Sequence, residues 1–454
     1  MLRQTSVKNG ELRGLPGNDP RITVYKGIPF AAPPVGENRW RAPQPCEDWE
    51  GVRNAFEFGP ISVQDQPAVG TDIYCREWHV DPDIPMNEDC LYLNVWTPAK
   101  SKDEKLPVLL WIFGGGFQWG YTAEMEFNGE ALASRGIIVV SVNYRLAALG
   151  FMCHPEITSE SPDYPANFGL LDQQAGLRWV RENIGAFGGD PDNITIAGQS
   201  AGGASVLNQI TNAENFDFIK GAAVWSGMIR FPGEGDAILK PLALPEAERL
   251  GEKFFEFLGV KSLSEARALD AFYIRDKYGE WAQSNPRVAA IFDGIHYIDD
   301  PLDRYENNKM ADIPVITGYT SDEFEINGKY IVKESTLDSV SLNNGQAGRE
   351  GRNFVYEFST DVPGWDDPGN FHSFDLWFWF GTLEKCWRPL RGRHYDLSRQ
   401  MVGYLSNFVK THDPNGKDDD GSDLPLWKPM SNMTSSKDIM RFTSDGAVPS
   451  QINR

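Results

Sequence analysis

The stretch from Asn193 to Leu207 constrains the fold more than any other part of the chain. An apolar run, Ile194-Thr-Ile-Ala197, leads straight into Gly198-Gln199-Ser200-Ala201-Gly202 and then into a helical pattern. A five-residue Gly-x-Ser-x-Gly match is common by chance; its strand, turn and helix context gives it weight. A turn this tight leaves no room for a Cβ at the glycine positions, so the glycines are physical requirements. It projects the Ser200 hydroxyl from the end of the strand, at the start of a helix whose N-terminal dipole favours negative charge. The motif therefore demands a strand that feeds a helix inside a larger, covered sheet.

The remaining sequence supplies that sheet. Short, nearly continuous apolar runs recur at Val108–Phe113, Ile137–Asn143, Ile194–Ala197, Ala222–Trp225, Pro314–Thr317 and Phe354–Phe358. Strands buried on both faces read this way, which predicts a mainly parallel sheet covered by helices. Helical periodicity lies between them. Leu170, Leu171, Leu177, Val180 and Ile184 share one stripe in 167–186, and Leu397, Met401, Leu405 and Phe408 share another in 395–409. The first hundred residues are rich in Gly and Pro with short strand patterns, and predict an N-terminal antiparallel extension. The polar stretch 413–423 does not match the ligand spacing of a calcium-binding EF-hand loop and reads as a solvated turn. The expected architecture is one α/β unit over residues 1–454, without internal repeats.

A second glycine cluster follows a strand. Leu109-Leu-Trp-Ile-Phe113 ends in Gly114-Gly115-Gly116-Phe117. The triplet fails the dinucleotide fingerprint, because position 119 is Trp, and it lacks the Gly-Lys-Ser/Thr of a phosphate loop. It suits backbone amides aimed at an oxyanion, with the amide of Ala201 as a further donor. A serine on such a turn needs a base, and the acid and histidine follow it in the chain. His79 and His154 precede Ser200. His296 precedes every carboxylate at a plausible strand end, and His394 and His412 read as surface residues of the late helix. His372, in the Gly/Pro-rich loop 363–373, remains. For the acid, Asp322 and Glu323 both follow the strand near Pro314–Thr317 and fit by spacing.

Charge excludes several functions. Lys and Arg number 43 against 64 Asp and Glu, a net charge of −21. Nucleic acid and anionic membranes both require a basic face, so neither is an expected partner. The longest apolar stretches fall well short of the roughly 18 residues of a membrane span, and residues 1–10 carry no signal-peptide core. The five scattered cysteines, Cys46, Cys75, Cys90, Cys153 and Cys386, suit a reducing, cytoplasmic setting. A Cys75–Cys90 bridge would belong to a secreted protein. Aromatic residues make up 12% of the chain. Phe117, Trp119, Trp225, Phe374, Trp377 and Phe378 flank the motifs; most are expected to pack in the core and the rest to line an apolar pocket.

These motifs resemble the type-B carboxylesterases, the cholinesterase-like branch of the α/β-hydrolases, and most of all the bacterial para-nitrobenzyl-esterase-like members. The resemblance runs through Tyr25-Lys-Gly-Ile-Pro-Phe-Ala-Ala-Pro-Pro, Asn87-Glu-Asp-Cys-Leu-Tyr-Leu-Asn-Val-Trp, Phe187-Gly-Gly-Asp-Pro-Asp-Asn-Ile-Thr-Ile-Ala-Gly-Gln-Ser-Ala-Gly-Gly, Ser321-Asp-Glu and Phe371-His-Ser. It implies an α/β-hydrolase fold with a helical cap and a serine esterase acting on small-molecule carboxylic esters. No metal or cofactor is implied. It selects Glu323 as the acid beside Ser200 and His372, assigns the oxyanion hole to Gly115, Gly116 and Ala201, places Ser226 behind the triad, and implies a structural Arg39–Glu88 pair. Two departures stand out. Gln199 occupies a position where many relatives carry Glu, and the stretch from Glu323 to His372 is short, which predicts a reduced cap and a more open site. The family also contains adhesion proteins that lack the serine, whereas here all three residues are present. An amidase or peptidase would use the same three.

Overall fold

In a computed structural model, which describes residues 1–227, 241–297, 303–304, 307–346 and 348–453, the apolar runs become the spine of an 11-stranded sheet. Its order from edge to edge is Gly446–Asn453, Ser436–Thr443, Asn353–Ser359, Val315–Thr320, Ile219–Trp225, Gly189–Gln199, Leu106–Ile112, Ile138–Val142, Tyr92–Thr97, Thr23–Pro29 and Leu15–Pro16. Every pairing from Ser436–Thr443 to Ile138–Val142 is parallel. Antiparallel strands flank this block on both sides. Continuous burial explains the continuous apolar runs: Val108, Leu109, Leu110 and Trp111 are all fully buried, as a strand covered on both faces requires. The strand carrying Ser200 lies centrally, between Ile219–Trp225 and Leu106–Ile112.

Helices Phe168–Asn183, Ala201–Thr211 and Gly392–Thr411 agree with the helical pattern. Leu397, Met401, Leu405 and Phe408 are fully buried, so that stripe faces the sheet. The surface reading of His394 is wrong. It is fully buried, and its Nδ1 accepts a hydrogen bond from the Arg391 amide at 2.8 Å, which caps the start of the helix. A cap residue looks exposed in a helical wheel because it sits before the apolar stripe begins.

The N-terminal extension is antiparallel in most of its pairings, and part of it joins the main sheet. Gln4–Val7 and Gly10–Arg13 do form an antiparallel pair, but Val52–Asn54 joins Gly10–Arg13 in parallel. Leu15–Pro16, Thr23–Pro29 and Tyr92–Thr97 belong to the main sheet. The open edge of Ile138–Val142 takes up Tyr92–Thr97, whose Leu93 and Val95 are fully buried.

Among the described residues, only a short hairpin, the helix Ile331–Asn344 and the strand Asn353–Ser359 lie between Glu323 and His372. The wall over the sheet comes instead from helices Leu244–Leu258, Leu263–Arg267 and Ala271–Trp281, which build a second apolar cluster with Trp40, Phe151 and Phe168. Arg39 joins this wall to the N-terminal region. Its guanidinium meets both Glu88 oxygens, at 2.5 and 2.7 Å, and donates to the Leu269 carbonyl at 2.7 Å. Both partners are buried. Removing one of them strands the other charge in the interior, so Glu88→Ala is expected to lower unfolding stability by about 3–5 kcal/mol, read by denaturant titration.

The stretch 413–423 is a turn, anchored rather than free: Asp418 is buried and pairs with Arg399 and with Arg135, the latter at 3.0 Å. All five cysteines are free thiols, Cys75 and Cys90 included. Among the described residues no helix is long and apolar enough to cross a membrane.

Candidate active site

Steric demand shapes the turn at Ser200. A Cβ at Gly198 would lie 2.3 Å from the Gly202 carbonyl oxygen, and one at Gly202 would lie 2.1 Å from that of Ile112. Ser200 itself has φ 56° and ψ −124°, a conformation that non-glycine residues rarely hold. The surrounding sheet enforces it: the Ser200 amide donates to the Trp225 carbonyl at 2.9 Å, and Ala201 opens the helix Ala201–Thr211. Strain of this kind gathers at functional sites, where the scaffold holds it in place.

Strand Leu106–Ile112 delivers the glycine triplet to the same spot. Gly115 has φ 94° and could not take a side chain, since a Cβ would approach the Trp119 carbonyl oxygen to 2.0 Å. Gly116 has φ 61°, and a Cβ there would meet nothing within 4 Å, so it opens on free space. Among the described residues neither amide has a hydrogen-bond acceptor. The Ala201 amide, as the first in its helix, has no intrahelical partner either.

Glu323 follows the strand Val315–Thr320 and is 2% exposed. Its Oε1 accepts from the Ser226 hydroxyl at 2.8 Å and from the Thr320 amide at 2.9 Å. Its Oε2 accepts from Nδ1 of His372 in a very short hydrogen bond. Asp322, the alternative by spacing, turns elsewhere and accepts from the Asn370 amide at 2.7 Å. With its proton on Nδ1, the neutral His372 ring offers a lone pair at Nε2. That lone pair is met by Nε2 of Gln199 at 3.1 Å. The Ser200 hydroxyl makes no hydrogen bond among the described residues. Ser200 and His372 therefore face one cavity without a mutual hydrogen bond, and Gln199 holds the position between them.

That cavity, of about 950 Å³, is lined by Gly115, Gly116, Ser200, Ala201, Ser226 and His372 at its base. Phe117, Trp119, Phe151, Leu170, Leu250 and Phe324 give it apolar walls. The Phe324 ring lies 4.5 Å from that of His372. Trp225, Phe374, Trp377 and Phe378 are fully buried core residues, in line with the expectation for most of the motif-flanking aromatics. Sequence reasoning missed the segment Tyr74, Trp78 and His79, which also lines the cavity. Its anchor is Arg388, fully buried, which donates to Glu77 at 2.6 Å and to Asp366 at 2.9 Å. Such a tie between distant segments leaves no local signature.

Asp375 lies just beyond His372 and is fully buried. The Tyr356 hydroxyl donates to its Oδ2 at 2.7 Å, while Oδ1 has no partner. Burial pushes its carboxyl up to about 6, against the hydrogen bond from Tyr356. An unfolded aspartate titrates near 3.9, so the folded chain holds this proton more tightly. The folded state is thus favoured below about pH 4 and loses that advantage as pH rises through 6. Asp375→Asn keeps the acceptor for Tyr356 and removes the titration. It is expected to be more stable than the parent by about 3 kcal/mol at pH 8 and to show no such gain at pH 4, read from unfolding curves at both.

Comparison with known proteins places this geometry in context. A family model described as "Carboxylesterase family" matches residues 2–347 and 332–453. Fumonisin B1 esterase of Sphingopyxis macrogoltabida is 35% identical over 341 residues, which cover 71% of this chain and 56% of that protein. Para-nitrobenzyl esterase of Bacillus subtilis (strain 168) is 34% identical over 341 residues, covering 74% and 66%. The matched region thus spans little more than half of the first of these relatives and about two thirds of the second. A solved PNB esterase structure superposes with a TM-score of 0.84 at 25% identity, covering 99% of this chain and 97% of that one.

Proposed function

The chain belongs to the carboxylesterase family, and we propose that it hydrolyses carboxylic esters through an acyl-enzyme on Ser200, with His372 as base and Glu323 as its acid partner. One observation supports this reading: Glu323 accepts a hydrogen bond from the Nδ1–H of His372, which leaves the Nε2 lone pair on the side of the cavity that holds Ser200. The two relatives above both bear the name of an esterase, which agrees with it.

When an ester enters, the Ser200 hydroxyl replaces the Gln199 amide at Nε2. Hydrogen bonds at such sites commonly tighten only once substrate is bound. His372 accepts the hydroxyl proton as Oγ attacks the carbonyl carbon. The carbonyl oxygen becomes an oxyanion held by the amides of Gly115, Gly116 and Ala201. Each such donor is worth about 10²–10³ in rate. His372, now an imidazolium paired with Glu323, gives its proton to the departing alkoxide, and the alcohol leaves. A water molecule repeats the sequence on the acyl-enzyme and releases the acid. Ser226, through its bond to Glu323, fixes the carboxylate that orients the ring. Gln199 can donate to neutral imidazole and, with its amide turned over, accept from imidazolium, so it offers Nε2 a partner in either state.

The test is a panel of p-nitrophenyl esters of increasing acyl length. The apolar walls predict turnover of at least the short and medium acyl chains, with a maximum that reports the depth of the cavity. No release of p-nitrophenol from any member would overturn the reading.

A further inference from the structure

Three consecutive residues of the oxyanion loop hold a positive φ: Gly115 at 94°, Gly116 at 61° and Phe117 at 61°. A residue with a side chain rarely holds such a value, so contacts beyond Phe117 itself must keep the loop in shape. The Gly115 carbonyl accepts from the backbone amides of Gln118 at 2.9 Å and Trp119 at 3.2 Å. A trans peptide is planar, with its C=O and N–H pointing opposite ways. Fixing the Gly115 carbonyl therefore also fixes the Gly116 N–H on the other side of that peptide, and Gly116 lines the catalytic cavity. Where Gln118 stands thus sets where this donor points.

Gln118 is buried, and its carboxamide closes a hydrogen-bonded ring. Nε2 donates to the Val288 carbonyl at 2.6 Å and, in a longer contact, to the Gly116 carbonyl at 3.4 Å. Oε1 accepts from the Tyr278 hydroxyl at 2.9 Å, and that hydroxyl accepts from the Val288 amide at 2.8 Å. The partners dictate how the amide is turned: the Val288 carbonyl can only accept, so Nε2 faces it. Burial holds the Tyr278 phenol proton far above its ordinary range, so the hydroxyl remains a donor. A buried polar network with its members paired is rigid. This one ties the oxyanion loop to the helix Ala271–Trp281 through Tyr278, and through Val288 to the cavity wall at 285–291.

We infer that Gln118 is a positioning residue for the oxyanion hole, aiming the Gly116 amide through its ring with Tyr278 and Val288, an inference that rests on the esterase reading. Gln118 also lines the cavity, but the described residues that line it do not include Tyr278. A change at Tyr278 therefore reaches the reaction through the ring and not through contact with substrate. The oxyanion exists in the transition state and not in the bound ester, so a donor that has lost its aim lowers kcat and spares KM.

The experiment compares Tyr278→Phe, Gln118→Leu and the double variant, with p-nitrophenyl butyrate as substrate and two inhibitors as probes. n-Butylboronic acid forms a tetrahedral adduct on Ser200 that places an oxygen among the oxyanion donors; n-butanol forms none. Each single variant is expected to lose about 10- to 100-fold in kcat, a fraction of what a missing donor costs, with KM within about threefold of the parent. Boronic acid affinity should fall by a similar factor while that of n-butanol holds. The double variant should lose little more than the worse single one, because both changes break one ring. Thermal midpoints check the folds, and Tyr278→Phe carries the test alone where Gln118→Leu does not fold. A kcat for Tyr278→Phe within about twofold of the parent, or equal losses for both inhibitors, overturns the proposal. If the parent turns over no ester, the esterase reading fails separately, and hydrogen exchange at the Gln118 and Trp119 amides, followed by peptide mass spectrometry, still reads the loop. Faster exchange in Tyr278→Phe supports the ring, and unchanged exchange overturns it.

Discussion

Ser200→Ala is expected to lower kcat/KM for a short-chain p-nitrophenyl ester by about 10⁴- to 10⁶-fold, the scale seen when a serine nucleophile is removed from a working triad. The fold should survive. The Ser200 hydroxyl makes no hydrogen bond among the described residues, so its removal breaks none. The strained φ of 56° is set by the sheet and by the amide bond to Trp225, both of which alanine keeps. A thermal midpoint close to the parent's, with activity lost, is the expected pair of results. Activity within tenfold of the parent would mean that another group attacks the ester.

Glu323→Gln carries the second large effect, and its cause is a matter of tautomers. Oε1 of Glu323 receives two donors, the Ser226 hydroxyl and the Thr320 amide. In the variant those donors hold the amide oxygen at that position. The NH2 group is then forced toward Nδ1 of His372, where the parent carboxylate accepts a hydrogen bond. The ring answers by placing its lone pair at Nδ1 and its proton at Nε2, which leaves it unable to take the Ser200 proton. The imidazolium formed during attack also loses its counter-charge. Together these are expected to reduce kcat by about 10³–10⁴-fold with little change in KM. A kcat within tenfold of the parent, in a variant with a normal unfolding curve, would show that Glu323 does not govern the ring.

Local steric necessity decides which of these features the sequence makes legible. Gly198 and Gly202 are required by the turn around Ser200, and a steric requirement writes itself into the residue type. The parallel strands are legible for the same reason: burial on both faces admits few polar residues, and Leu106–Ile112 or Ile138–Val142 can be read off as apolar runs. Spacing could narrow the acid only to Asp322 and Glu323, because neighbouring residues share a strand end. The fold parts them, sending Asp322 to Asn370 and Glu323 to His372. Least legible are features made by contacts between distant segments. The burial of His394, the joining of Tyr92–Thr97 to the main sheet, and the wall of Tyr74, Trp78 and His79 all depend on such pairings.

The most direct measurement is to treat the protein with a p-nitrophenyl alkylphosphonate and to map the product by peptide mass spectrometry. One phosphonyl group per chain, carried by Ser200 and missing from Ser200→Ala, is the result that a nucleophile activated by His372 predicts. A label on any other side chain, or none at all from a chain that still cleaves esters, would contradict it.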